Sequence, residues 1–220
     1  GNANAGTGAD GKRRALDICA ALAAKAGVDV SSVLPFSTGV IGEPLNSDAI
    51  IAGLDNALAS LGADNWLAAA NGIRTTDTIP KLASEKVDVD ASSYHVTGMS
   101  KGSGMIRPNM ATMLGYVATD ANIAADLLQE MLSKINEQSF NRITVDGDTS
   151  TNDCCVLIAT GKANSEVIDS PEHPHYQPIF EALTSVFVRL AQLIVRDGEG
   201  ATKFMTVKVT GGKTTQECCD

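Results

Sequence analysis

The run Lys101-Gly-Ser-Gly-Met-Ile-Arg-Pro-Asn-Met-Ala-Thr-Met-Leu-Gly-Tyr116 constrains the chain most. A stretch sparse in side chains gives way to an alternating one from Thr112 to Asp120. Leu114, Tyr116 and Ala118 fall on one face, Met113, Gly115 and Val117 on the other. That period of two predicts a strand, so the fold must deliver a Gly-rich loop to a strand head with Ala111-Thr112 at the junction. A threonine there has unusual chemistry if the peptide bond before it breaks. Its own α-amine, with a pKa of about 7.7–8.0, becomes a base beside its own hydroxyl, so one residue is nucleophile and base. On spacing alone, an ordinary β-branched strand residue is the simpler reading.

The 220 residues suit one large domain or two small ones, and 44% hydrophobic content is enough for a core. Aromatics are only 4%, so the core is expected to use small side chains and close backbone approaches. A net charge of −9 argues against nucleic acid as the main partner. It leaves acidic substrates open, because local charge at a site can oppose the total. No continuous run of about 18 apolar residues is seen, so no membrane span is expected, and no signal peptide is read at the start. The five cysteines are Cys19 and the vicinal pairs Cys154-Cys155 and Cys218-Cys219. That is a poor disulfide framework without metal spacing, which suits a reducing compartment and no metal.

Along the chain, Asp10 to Ala26 reads as an amphipathic helix stopped by Gly27. Val33 to Ser37 suggests a short strand entering a Thr-Gly turn. Ser47 to Leu61 suggests a second helix, with Ser47 as N-cap and Gly62 as the stop. Trp66 to Gly72 is short and apolar. Tyr94 to Thr97 and Thr112 to Thr119 read as strands, and Ile123 to Ser139 as a third helix. Arg142 to Val145 and Cys154 to Thr160 suggest a strand pair around the loop 146–153. Glu166 to Gln177 reads as a loop, Pro178 to Arg196 as the longest helix, and Lys203 to Thr210 as an alternating strand before Gly211-Gly212. Without strict βαβ alternation the fold class is α+β.

Several motifs have competing readings. Gly6-x-Gly8-x-x-Gly11 matches a dinucleotide fingerprint in letters only, because no hydrophobic strand precedes it. Thr38-Gly39 could present donors to an oxyanion, although an ordinary turn before Val40 is the plainer account. Lys101 is either a solvated charge or a partner for a carboxylate. Glu199 lies between Gly198 and Gly200, as a helix-end loop charge or a carboxylate reaching into a cleft. His95, His173 and His175 show no metal spacing. Asp146, Asp148 and Asp153 lack the closing glutamate of a calcium loop and read as hydrogen-bonded turns supporting a site.

The run Lys101 to Asp120 resembles the self-cleaving ornithine acetyltransferases, or bifunctional glutamate N-acetyltransferases, of arginine biosynthesis. Five distant stretches share the likeness in order: Asn2-Ala-Asn-Ala-Gly-Thr-Gly8, Ser37-Thr-Gly-Val-Ile-Gly-Glu-Pro-Leu45, Thr75-Thr-Asp-Thr78, Val145-Asp-Gly-Asp-Thr-Ser-Thr-Asn-Asp153 and Arg196-Asp-Gly-Glu-Gly-Ala-Thr-Lys203. The resemblance covers the whole chain, and members normally extend beyond it on both sides.

The resemblance implies a layered α-β-β-α sandwich around a threonine N-terminal nucleophile. It implies one catalytic domain over 1–220, cut between Ala111 and Thr112. Residues 1–111 would end the α chain and 112–220 would begin the β chain, the two chains forming a hetero-tetramer. Thr112 would be the nucleophile, Thr38 and Gly39 the oxyanion hole, and Thr75, Lys101, Thr112 and Glu199 the substrate contacts. Further ligands, an Asn and a Thr or Ser, would come from a more C-terminal segment. The activity implied is acetyl transfer from N-acetylornithine to glutamate, with no cofactor and with acetyl-CoA as an optional acetyl source. The expected location is the cytoplasm, or the mitochondrial matrix in a eukaryote. The alternatives are a related self-processing aminopeptidase and a non-catalytic fragment of the acetyltransferase.

Overall fold

The computed structural model describes residues 1–107, 113–214 and 217–218. Its center is a four-stranded mixed sheet in the order β1-β2-β3-β4: β1 Lys81–Val89, β2 Ser92–Lys101, β3 Leu114–Thr119 and β4 Cys154–Ala159. β1 and β2 form a tight antiparallel hairpin with Val89 opposite Ser92. β2 and β3 are antiparallel with Gly98 opposite Val117. β4 lies parallel to β3, Leu114 opposite Cys154. A parallel neighbor needs a crossover, which α4 (Ala125–Asn136) supplies.

Alternation decides what each face of the sheet meets. Tyr94, Val96 and Val117 are wholly buried, and they join the core built with α4 and with α5, Tyr176–Arg196. Gly98 allows the closest approach of α5 to β2, because a Cβ there would sit 3.0 Å from Leu190 and 2.7 Å from Val117. Tyr116 points to the other face and meets Phe36 edge-on at 5.6 Å. α3 (Trp66–Gly72) also packs on β1 and β2. α1 (Gly8–Ala26) and α2 (Ser47–Ala59) pack on each other.

The expected helices form with shifted ends. α1 begins at Gly8 and ends at Gly27, whose left-handed φ of 69° closes it. α2 is capped by Asn46, not Ser47: the Asn46 side chain accepts the Ala49 N–H at 3.1 Å. α5 begins at Tyr176, just inside the stretch expected to be loop. By length and mean hydropathy, 1.5 over its best window, α5 is apolar enough to cross a membrane. Its fully buried face, including Ile179, Leu183, Val186, Phe187, Leu190 and Ile194, packs into the core.

Three expectations need correction, and one strand had no expectation at all. β1 was not foreseen. Val33 to Ser37 is not a strand, and the local structure is a 3-10 turn at Val30–Ser32 stabilised by Asp29. Arg142 to Val145 does not pair with β4. The Val145 N–H and the Thr144 hydroxyl both donate to the Ile106 carbonyl, at 2.8 and 2.9 Å, which docks this segment on the loop after β2. Lys203 to Thr210 carries the alternation of a strand but pairs with no strand among the described residues, and Met205 and Val207 are 80% and 84% exposed.

Candidate active site

A cavity of about 630 Å³ opens beside the C-terminal end of β2. Thr38, Gly39, Thr75, Lys101 and Glu199 all line it. The sequence brings them from separate loops, and three local devices put them together.

The first device is a crossing of two backbones. The Ala3 N–H donates to the Val40 carbonyl at 2.9 Å, and the Val40 N–H to the Gly1 carbonyl at 3.2 Å. Gly39 sits in this crossing with φ 133°, and a Cβ on it would come within 2.2 Å of the Gly1 backbone. Only glycine fits there. The Ser37 hydroxyl and the Asn152 amide both donate to the Ala3 carbonyl, which ties the crossing to the loop before β4.

The second device is a buried charge triad. Lys81, fully buried at the head of β1, donates to Asp77 and to Asp197, each at 2.6 Å. Asp77 also accepts the N–H groups of Gly102 at 2.6 Å and Thr75 at 3.2 Å. Asp197 accepts the Thr78 N–H at 2.9 Å and the Thr78 hydroxyl. Burial pushes the Asp77 carboxyl up, but the Gly102 N–H and the Lys81 ammonium outweigh it and hold it below the usual range. Asp197 is likewise held low, burial being opposed by Lys81 and Thr78. Buried charges persist when paired and hydrogen-bonded in this way.

The third device is a steric cradle for Glu199. Its N–H donates to the Ser103 carbonyl at 2.7 Å, and the Ser103 hydroxyl shares a 2.7 Å bond with Thr76. A Cβ on Gly104 would lie 2.8 Å from the Glu199 carboxyl group. The adjoining loop is held by Asp146, which accepts the N–H groups of Met105 at 2.6 Å and Ile106 at 2.9 Å.

Lys101 forms the cationic part of the cavity. It is 95% buried, since its relative exposure is 5%, and its ammonium donates to the Thr75 hydroxyl at 2.8 Å. Burial lowers its pKa, Asp77 raises it, and Lys81 lowers it again; Asp153 and Glu199 add favorable charge. The cavity therefore offers an ammonium and a carboxylate in one lining, together with the Gly39 backbone turn. That set can hold a small molecule bearing both signs of charge.

Ala111 and Thr112 lie outside the described residues, so the expected cut and nucleophile have no geometry here. The neighboring Met113 is described, and its carbonyl accepts the Cys154 N–H at 3.0 Å. The Asp153 carboxyl lies at this end of the sheet. Both of its oxygens are buried without a hydrogen bond of normal geometry among the described residues. Burial pushes its pKa up to about 7, with the Met113 N–H and the Lys101 charge drawing it only partly back.

Sequence reasoning missed the roles of Asp77, Lys81 and Asp197. Asp77 and Asp197 lie inside the quoted motifs, but their partner Lys81 stands in the unforeseen strand. The histidines serve structure: Tyr94 and His175 Nδ1 are hydrogen-bonded at 2.7 Å, and His95 meets Asp120 at 3.0 Å on the surface. No group of three metal-ligating side chains occurs among the described residues.

Fold and cavity together define a mixed α/β protein with a loop-built cavity at a sheet end whose lining carries both a lysine and a glutamate. The chain belongs to the ArgJ family, whose model matches residues 1–220. It is 88% identical over 220 residues to the arginine biosynthesis bifunctional protein ArgJ of Psychrobacter arcticus, covering 100% of this chain and 54% of that protein. The ArgJ protein of Pseudomonas syringae pv. tomato is 56% identical with the same coverage. The chain thus spans about half the length of the curated relatives it matches. Among solved structures, ArgJ from Bacillus halodurans is 54% identical, with a TM-score of 0.41 over 42% of this chain and 43% of that one. An L-aminopeptidase D-Ala-esterase/amidase from Ochrobactrum anthropi, described as a variant of the Ntn hydrolase fold, gives a TM-score of 0.50. It is 11% identical, covers 84% of this chain and 64% of that one, and shows likeness of fold alone.

Proposed function

We propose that this chain carries the central part of a glutamate N-acetyltransferase that activates itself by cutting between Ala111 and Thr112. The observation that carries this reading is the convergence of Thr38, Gly39, Thr75, Lys101 and Glu199 on one cavity, in a chain of the ArgJ family. In the first stage the Thr112 hydroxyl attacks the Ala111 carbonyl carbon. The Ala111–Thr112 amide becomes an ester, and water hydrolyses it to leave a carboxylate on Ala111 and a free amine on Thr112. In the second stage that amine takes the proton as the Thr112 oxygen attacks the acetyl carbon of N-acetylornithine. The proton passes to the departing nitrogen of ornithine, leaving an acetyl ester on Thr112. The neutral α-amine of glutamate then attacks the ester, giving N-acetylglutamate and restoring the hydroxyl.

The pocket residues divide the work by charge and position. Lys101, with Thr75, meets the α-carboxylate common to both substrates. Glu199 meets an ammonium group. The Thr38 hydroxyl and the Gly39 N–H face the oxyanion that develops at each attack. One amide is exchanged for another, so no nucleotide is consumed. Acetyl-CoA as an alternative acetyl source, an α-β-β-α layering completed by further strands, two chains assembled as a hetero-tetramer and a cytoplasmic location belong to the same proposal. An aminopeptidase ending in water would not need an ammonium and a carboxylate set for a zwitterion.

Intact mass of the full-length protein tests the reading. Two pieces divided after Ala111 are expected, and N-acetylornithine should add one acetyl group to the piece beginning at Thr112. Thr112→Ala should leave one uncut chain. Efficient cutting of that variant after purification would sink the proposal.

A further inference from the structure

We propose that Lys81 is a positioning residue that fixes the span between Lys101 and Glu199, and so makes the pocket select for an amino acid with an ammonium at the right distance. This rests on the reading of those two side chains as the charged ends of the substrate site. The geometry is a hub with two arms. One arm runs from Lys81 through Asp77 to the N–H groups of Thr75, which is the partner of Lys101, and of Gly102, which follows Lys101 in the chain. The other runs from Lys81 to Asp197, two residues before Glu199, and on to Thr78. Lys81 and Ser100 are register partners on β1 and β2, so the hub is fixed to the sheet.

Lys81 itself is wholly enclosed and does not line the cavity. It therefore acts through its partners and never on the substrate. The second tie on Glu199 is its N–H bond to Ser103, which belongs to the Lys101 side. Without the ammonium of Lys81, Asp77 and Asp197 lose the one cation that both of them contact. The 197–200 turn then loses its tie to β1 through Lys81 and is held by Thr78, Ser103 and the end of α5, which lets Glu199 shift relative to Lys101. The expected loss is one of discrimination between ends, not of acyl chemistry at Thr112.

The test compares N-acetylornithine with N-acetylnorvaline, which has the same carbon chain without the δ-ammonium, in the full-length enzyme and its Lys81→Met variant. Wild type is expected to prefer N-acetylornithine in kcat/KM by about tenfold or more, one tenfold step being about 1.4 kcal/mol. In the variant the preference should shrink to within about threefold. The loss should come from a higher KM for N-acetylornithine, with little change for N-acetylnorvaline. Equal losses on both substrates, or an unchanged preference, would overturn the proposal. Should Lys81→Met fail to fold, Asp197→Asn keeps the volume and weakens the same arm, and it should lower the preference in the same direction.

A crystal structure of the folded variant gives a reading independent of turnover. Glu199 is expected to move relative to Lys101, and superimposable positions would overturn the clamp. If wild type transfers no acetyl group from either donor, the proposed function falls, while the structural comparison still decides whether Lys81 sets the span.

Discussion

Asp153 shows how one residue can be held against its own chemistry. Its carboxyl is buried at the sheet end beside Met113, without a normal hydrogen bond among the described residues. The folded-state pKa is pushed up to about 7, against 3.8 as the ordinary value. A raised carboxyl binds its proton more tightly in the folded state. Its burden on stability is absent below the unfolded pKa and grows as pH rises through the window from 3.8 to about 7. Asp153→Asn should therefore stabilise the protein by about 1–2 kcal/mol at pH 8, after discounting for the group's partial exposure. The gain should vanish near pH 4, and urea unfolding at both values measures it. A gain of equal size at both pH values would show that charge is not its source.

At the scale of elements, α5 gives the core more buried side chains than any other described element. Leu190 is fully buried, and its side chain fills the space left by Gly98. Leu190→Ala should cost about 2–5 kcal/mol, because β2 cannot move inward to fill the void. Chemical denaturation measures that cost. A change below about 1 kcal/mol would mean that the helix and sheet are not packed as described.

This helix was legible in the sequence because its apolar stripe repeats over several turns. β1 was not. Its inward positions near the start are Lys81 and Ala83, while Ser84, Lys86 and Asp88 add polarity along the rest. A buried lysine reverses the pattern on which strand reading depends. The partner of β4 was equally hidden, because parallel pairing across α4 leaves no local turn signal. The pocket residues could be named because short motifs carry them, but their meeting depends on backbone crossings and the Lys81 hub, which spacing does not encode.

For the whole molecule, the position of the proposed cut matters. Residues 102–113 connect β2 to β3, and these strands are antiparallel neighbors in the middle of the sheet. Cutting there divides the chain into pieces that share one hydrophobic core, β1 and β2 coming from one piece and β3, β4, α4 and α5 from the other. Folding of the uncut chain is a first-order event, whereas the cut form obeys mass action. Its unfolding midpoint should rise more steeply with protein concentration than that of Thr112→Ala. A concentration series of thermal melts, from about 1 to about 100 μM, distinguishes the two. Identical behavior would contradict a sheet shared between separate chains. Activation would thus convert one self-contained polypeptide into an obligate complex, whose persistence in dilute solution depends on the ladder from Val96–Thr119 to Lys101–Leu114.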